Sequence, residues 1–105
     1  MNLKELAENV GLEEDEFREL VELFVETAGL DIERLKTALD DGDAEKVARA
    51  AHTINGASGN LGITNIHEVA KRIELAAGNK ELYAISNDVS HLKELIDEVG
   101  KIVHS

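Results

Sequence analysis

Ala51-His52-Thr53-Ile54-Asn55-Gly56-Ala57-Ser58-Gly59-Asn60-Leu61-Gly62 is the stretch on which the fold turns. By turn chemistry, Asn55-Gly56 and Ser58-Gly59-Asn60 read as a loop. By periodicity, Val47, Ala51, Ile54, Ser58 and Leu61 carry one apolar face straight through it. On a helix each residue advances about 100°, which sets His52 about 140° from Val47 and off the core stripe. Gly56 and Gly59 follow one and two turns later on the side of His52, and Ala48 precedes it by a turn. The spacing therefore predicts a histidine standing on a helix surface whose C-terminal neighbours lack side chains. Each helical glycine costs about 1 kcal/mol relative to alanine, so two beside one histidine call for a reason.

Outward from this stretch, the chain holds no proline, which leaves long segments free to be helical. Upstream, Asn2 and Glu5 have capping-box spacing, and Leu3, Leu6 and Val10 recur as in a short helix over about residues 2–10, with Gly11 as its stop. Glu13 to Glu16 then place negative charge at the start of a second helix. Its expected stripe is Phe17, Leu20, Phe24, Ala28, Ile32, Leu35 and Leu39, with Gly29 a point of loosening or bending. Asp40-Asp41-Gly42-Asp43 reads as a turn in which Gly42 closes one helix and Asp43 caps the next. Downstream, Ile66, Val69, Ile73 and Ala77 mark a fourth helix ending at Gly78-Asn79. Leu82, Ile85, Val89, Leu92, Ile96, Val99 and Val103 mark a last one. The expected fold is all-α: an antiparallel up-down four-helix bundle over about residues 13–103, with a short additional N-terminal helix, as a single domain spanning 1–105.

Composition narrows the function. The 105 residues carry 22 acidic against 11 basic side chains, a net charge of −11, which repels phosphate backbones and disfavours nucleic acid. Aromatic residues make up 3%, too few for a base-stacking platform. There is no cysteine, hence no disulfide, thiolate metal site or thiol nucleophile, as suits a reducing compartment. No apolar run spans a bilayer and no signal-peptide order opens the chain, so a cytoplasmic location and no membrane partner are expected. The charge also favours a soluble monomer.

Against that background His52 is the candidate reactive group. Neutral imidazole is a competent nucleophile near neutrality and can accept and return a phosphoryl group. Bare backbone around it permits close approach by a second macromolecule, and a phosphorylated ring needs donors nearby. His67, His91 and His104 share no ligand spacing and read as surface residues, so no metal site is expected. The acidic pairs are explained by helix-end electrostatics. The glycines at 56, 59 and 62 follow no strand and accompany no phosphate-loop lysine, which argues against nucleotide binding.

The segment from Ala50 to Gly62 resembles the signature of histidine-containing phosphotransfer (HPt) domains, the carriers of multistep two-component relays. The likeness covers roughly residues 12 to 103, with Leu39-Asp40-Asp41-Gly42-Asp43 standing as the acidic glycine turn and Ile73-Glu74 as the downstream site of a polar residue facing the histidine. The resemblance implies that His52 is the phosphoacceptor, through the ring nitrogen remote from the backbone, and that Gly56 opens the surface for a receiver domain. It implies partners in response-regulator receivers or a sensor histidine kinase. It also implies no intrinsic cofactor, since the receiver brings the aspartate and magnesium.

The sequence departs from that pattern at Asn55, where the family usually has lysine. Asparagine can donate a hydrogen bond but cannot neutralise a phosphoryl group. Lys71, on one flank of the fourth helix with His67 and Glu74, and Arg49, one turn before His52, are the candidate compensating cations. The expected site is thus His52 with Ala48, Arg49, Asn55, Gly56, Gly59, Lys71 and Glu74. Two alternatives stand beside the relay: a receiver-docking bundle without phosphoryl exchange, suggested by Asn55, and a phosphoacceptor domain excised from a histidine kinase. The starting methionine and capped first helix favour a free-standing chain over the latter.

Overall fold

Helix ends in this chain are set by local polar chemistry. In a computed structural model that describes residues 2–104, Asn2 Oδ1 accepts from the Glu5 amide at 3.2 Å and starts α1 (Leu3–Asn9). Gly11, at φ +74°, turns the chain out of it. Glu14, Asp15 and Glu16 fill the first turn of α2 (Glu14–Asp40), where Glu16 Oε1 accepts from the Glu13 amide at 3.2 Å. Gly42, at φ +69°, ends the turn after α2, and Asp43 Oδ1 caps α3 (Ala44–Asn60) through the Lys46 amide at 3.1 Å. Then follow α4 (Thr64–Gly78), a 3₁₀ turn at Leu82–Ala84 and α5 (Ser86–Val103).

Two of the connections, 41–43 and 61–63, are three residues long, which makes chain neighbours antiparallel. The helices pack in a ring, α2 on α3, α3 on α4, α4 on α5 and α5 back on α2, with α1 laid against α2. The 27 residues of α2 rise about 40 Å at 1.5 Å each. That equals the 41 Å long axis of the molecule, so α2 is the spine along which the other helices stack. Gly29 does not interrupt it. Among the described residues no strand occurs, and no helix is long and apolar enough to cross a membrane.

The core follows the expected stripes with corrections in α2 and α5. Phe17, Phe24, Ala28, Ile32 and Leu35 are buried, but Leu20 is exposed and Leu39 only half-buried. Val21 and Ala38 take the core positions instead. Steps of four from Phe17 to Val21, and of three from Leu35 to Ala38, stay closer to the buried line than the steps to Leu20 and Leu39. In α3 the core residues are Val47, Ala50, Ala51, Ile54 and Ser58, while Leu61 is half-buried in the turn. The stripe assigned to the last helix is split: Leu82 lies in the 3₁₀ turn, Ile85 is buried just before α5, and Val89 to Val103 follow the pattern.

The α2–α5 seam is closed by apolar contact. Gly100 lets α5 approach Val25, whose Cγ1 would lie 3.3 Å from a Cβ there. Arg18 Nη1 donates to the Val103 carbonyl at 2.9 Å and satisfies one of the orphan acceptors at the α5 C-terminus.

Candidate functional site

The decisive stretch is helical. The α3 ladder runs through Gly56 and Gly59 to Asn60, and Ser58, fully buried, returns its hydroxyl to the Ile54 carbonyl at 2.7 Å. A buried serine thus satisfies itself within its own helix and the core face stays continuous. Only after Asn60 does the chain turn, with Gly62 at φ +72°.

This continuity places His52 on the α3 surface beside α4, its side chain 72% exposed. Nδ1 lies 2.8 Å from Glu74 Oε2. A carboxylate can only accept, so the imidazole donates from Nδ1, and in the neutral ring the lone pair resides on Nε2, which has no hydrogen-bond partner among the described residues. Glu74 is itself only 28% exposed and is held from its other side, Asn55 Nδ2 donating to Oε1 at 2.9 Å. Its two oxygens therefore serve two residues one turn apart on α3.

One turn further along, α4 crosses α3 again through His67. Its Nδ1 donates to the Asn55 carbonyl at 3.0 Å, and the half-buried ring lies over Gly59. A Cβ on Gly59 would stand 3.0 Å from His67 Nδ1 and 3.2 Å from Cε1. Gly59 thus makes room for an interhelical histidine, and His67 is a packing residue at the helix interface. Gly56 is the opposite case. A Cβ there meets nothing within 4 Å, so no group of this chain requires a glycine.

The remaining candidates separate by what they touch. Asn55 is half-buried with its amide nitrogen engaged by Glu74, so its donor points along the helix interface. Its Oδ1 is buried and accepts from no group among the described residues. Turning the amide over would set two acceptors 2.9 Å apart, so the contact with Glu74 fixes the orientation. Arg49 is paired with Glu45 at 3.0 Å, one turn back on α3. Lys71 is exposed and forms no ion pair among the described residues. It shares its flank of α4 with His67 and Glu74, at i−4 and i+3, both of which touch α3. Ala48 is half-buried one turn before His52. No three histidine, cysteine, aspartate or glutamate side chains gather as a metal site among the described residues.

Sequence reasoning paired Glu74 with the histidine but missed the arrangement of Asn55, His67 and Gly59. The signal was present: His52, Asn55 and Gly59 at i, i+3 and i+7 face His67, Lys71 and Glu74 at i, i+4 and i+7.

An up-down helical bundle presenting an exposed histidine backed by a carboxylate and bordered by bare backbone is the architecture of a phosphoryl carrier. The Hpt domain family matches residues 19–102, and the chain belongs to that family. Its role is histidine phosphotransfer in phosphorelay signalling. A solved structure, histidine-containing phosphotransfer protein B (HptB) from Pseudomonas aeruginosa PAO1, superposes with a TM-score of 0.82 at 26% identity, covering 97% of this chain and 86% of that one. No curated protein matches the sequence.

Proposed function

We propose that His52 is the phosphoacceptor and that it exchanges the phosphoryl group with the aspartate of a response-regulator receiver domain. The supporting observation is the ring's division of labour: Nδ1 is tied to Glu74 while Nε2 faces solvent next to a glycine whose outer side is open.

In this reading the Nε2 lone pair attacks phosphorus in line with the aspartyl oxygen. The N–P bond forms, the P–O bond to aspartate breaks, and the carboxylate leaves with its electron pair. No proton moves, because Nδ1 keeps its hydrogen, and the positive charge gained by the ring is balanced by Glu74. The receiver brings the aspartate and its bound magnesium, and the HPt chain brings a nucleophile already in the right tautomer. Lys71, on the neighbouring flank and in no ion pair among the described residues, is assigned to the phosphoryl oxygens, a charge-assisted contact that Asn55 does not supply. Gly56 is assigned to receiver approach.

Incubation with a phosphorylated receiver should label the wild-type chain with acid-labile phosphate and leave His52→Gln unlabelled. Equal labelling of both would refute the assignment. Receiver binding that survives His52→Ala, with no labelling of the wild type, would point instead to a docking bundle.

A further inference from the structure

An open groove of about 550 Å³ runs along the α2–α3 seam toward the 41–43 turn. Ala38 and Ala50, both buried and too small to fill it, form its floor. Arg49 and Thr53, at i−3 and i+1 from His52, stand on its α3 side. A standard interface covers about 800 Å² of each partner, so a domain centred on His52 reaches this groove.

Arg34, Lys46 and Arg49 line the groove and differ in where their counter-ions sit. Arg49 lies 3.0 Å from Glu45 and Lys46 3.9 Å from Asp43, acids that are 84% and 38% exposed. Both pairs lie flat in water and hold their cations weakly. Arg34 is different. Its Nη1 lies 3.1 Å from Oδ1 of Asp31, whose side chain is only 11% exposed, while the arginine is 71% exposed. The pair stands upright, with its negative end in the groove and its positive end at the mouth. A buried carboxylate is costly to desolvate, and a well-packed apolar residue often serves stability as well or better. What this carboxylate provides is a guanidinium held by one nitrogen, with the rest of its five-donor fork on the solvent side. Exposed Glu33 and Asp41 repel a carboxylate from the remainder of the α2 wall.

We propose that Arg34 is a specificity-determining contact for the receiver: anchored on Asp31, it grips a surface carboxylate of the incoming domain at the α2–α3 groove while His52 takes the phosphoryl group. The inference rests on the assignment of His52 as acceptor and adds a contact that touches no reacting atom. Arginine binds carboxylates through paired charge-assisted hydrogen bonds, and one already held in place loses little freedom in doing so. In a chain of net charge −11, acidic patches of a partner are repelled from most of the surface. One fixed cation therefore selects both the partner and the register in which it docks.

The test compares the full wild-type chain with Arg34→Gln, the double variant Asp31→Asn/Arg34→Gln, and Lys101→Gln, which removes the same charge from an exposed position on α5. Receiver affinity is read by calorimetry at low and high salt, and folding by the thermal midpoint. Single-turnover labelling is read at saturating phosphorylated receiver. Arg34→Gln should weaken receiver binding about tenfold at low salt and flatten its salt dependence, with labelling at saturation unchanged. The double variant, which leaves no unpaired buried carboxylate, should lose as much affinity without a lowered midpoint. Lys101→Gln should bind as the wild type does. Wild-type affinity in either Arg34 variant would overturn the proposal, and so would an equal loss in Lys101→Gln, which would reduce the effect to net charge. A wild-type chain that binds the receiver through Arg34 yet takes no phosphoryl group would sink the acceptor assignment and leave this contact standing.

Discussion

The two seams flanking the bundle's spine-and-site halves are built from different materials. Where α5 lies on α2, contact is apolar and close, with Val25 against Gly100 and a hydrogen bond from Arg18 to the end of α5. Where α4 lies on α3, the buried layer of Ile54, Ile66 and Ile73 is edged by a polar strip running His52, Glu74, Asn55 and His67. Apolar packing is non-directional and supplies stability, whereas hydrogen bonds contribute little net energy but fix the direction of a side chain. The molecule thus stores its stability in one kind of contact and its reactivity in the other, and mutations in the two should separate cleanly.

The largest separation is expected from the apolar layer. Ile73→Ala, at a position with no exposed surface, should cost about 2–5 kcal/mol in denaturant unfolding. Below the shifted midpoint the folded fraction should still accept phosphoryl groups. A smaller but opposite effect is expected at Gly56. Because a side chain there meets nothing in the chain, Gly56→Leu should leave stability within about 1 kcal/mol, the scale of a glycine-to-residue change in a helix, while reducing receiver affinity in calorimetry. Unchanged affinity would remove Gly56 from the docking surface.

Two further changes sharpen the contrast within the α3–α4 edge. Gly59→Ala should be harmful where Gly56→Ala is not, since its methyl presses on the His67 ring at 3.0 Å. The expected signature is loss of the His67–Asn55 hydrogen bond in the nitrogen spectrum and a lowered thermal midpoint, with receiver affinity retained. The smallest effect belongs to Asp43→Ala, which removes the cap of α3 far from the histidine. It should cost about 1 kcal/mol and leave the transfer rate unaltered.

The same division explains what could be read from the residue order. Core periodicity carried α3 through Asn55-Gly56 and Ser58-Gly59-Asn60 because the apolar positions outweigh local turn preference when a helix can bury them. Caps at Asn2 and Asp43 were legible because each depends on residues three apart. The choice between Leu20 and Val21, or Leu39 and Ala38, was not, since both lie near the edge of the stripe and only the packing of α3 and α5 on α2 decides. The break of the last helix at Ile85 was hidden because the residues of a 3₁₀ turn keep a spacing close to that of an α-helix.

At the site, the exposed histidine was legible from helix faces, and its carboxylate from the resemblance to the family. The tasks of Asn55 and Gly59 were not, because they depend on the relative height of α3 and α4, which the 61–63 connection sets. That height brings His67 over Gly59 and Glu74 between His52 and Asn55. An asparagine that looked like a missing phosphoryl contact is an interhelical anchor.

The central claim is that the phosphoryl group resides on one nitrogen of one histidine. Phosphorus and nitrogen NMR of the chain after charging by a phosphorylated receiver tests it directly. The account predicts a single phosphohistidine bonded through Nε2 of His52, with Nδ1 still protonated toward Glu74. Phosphorus on Nδ1 of His52, or on His67, His91 or His104, would contradict it.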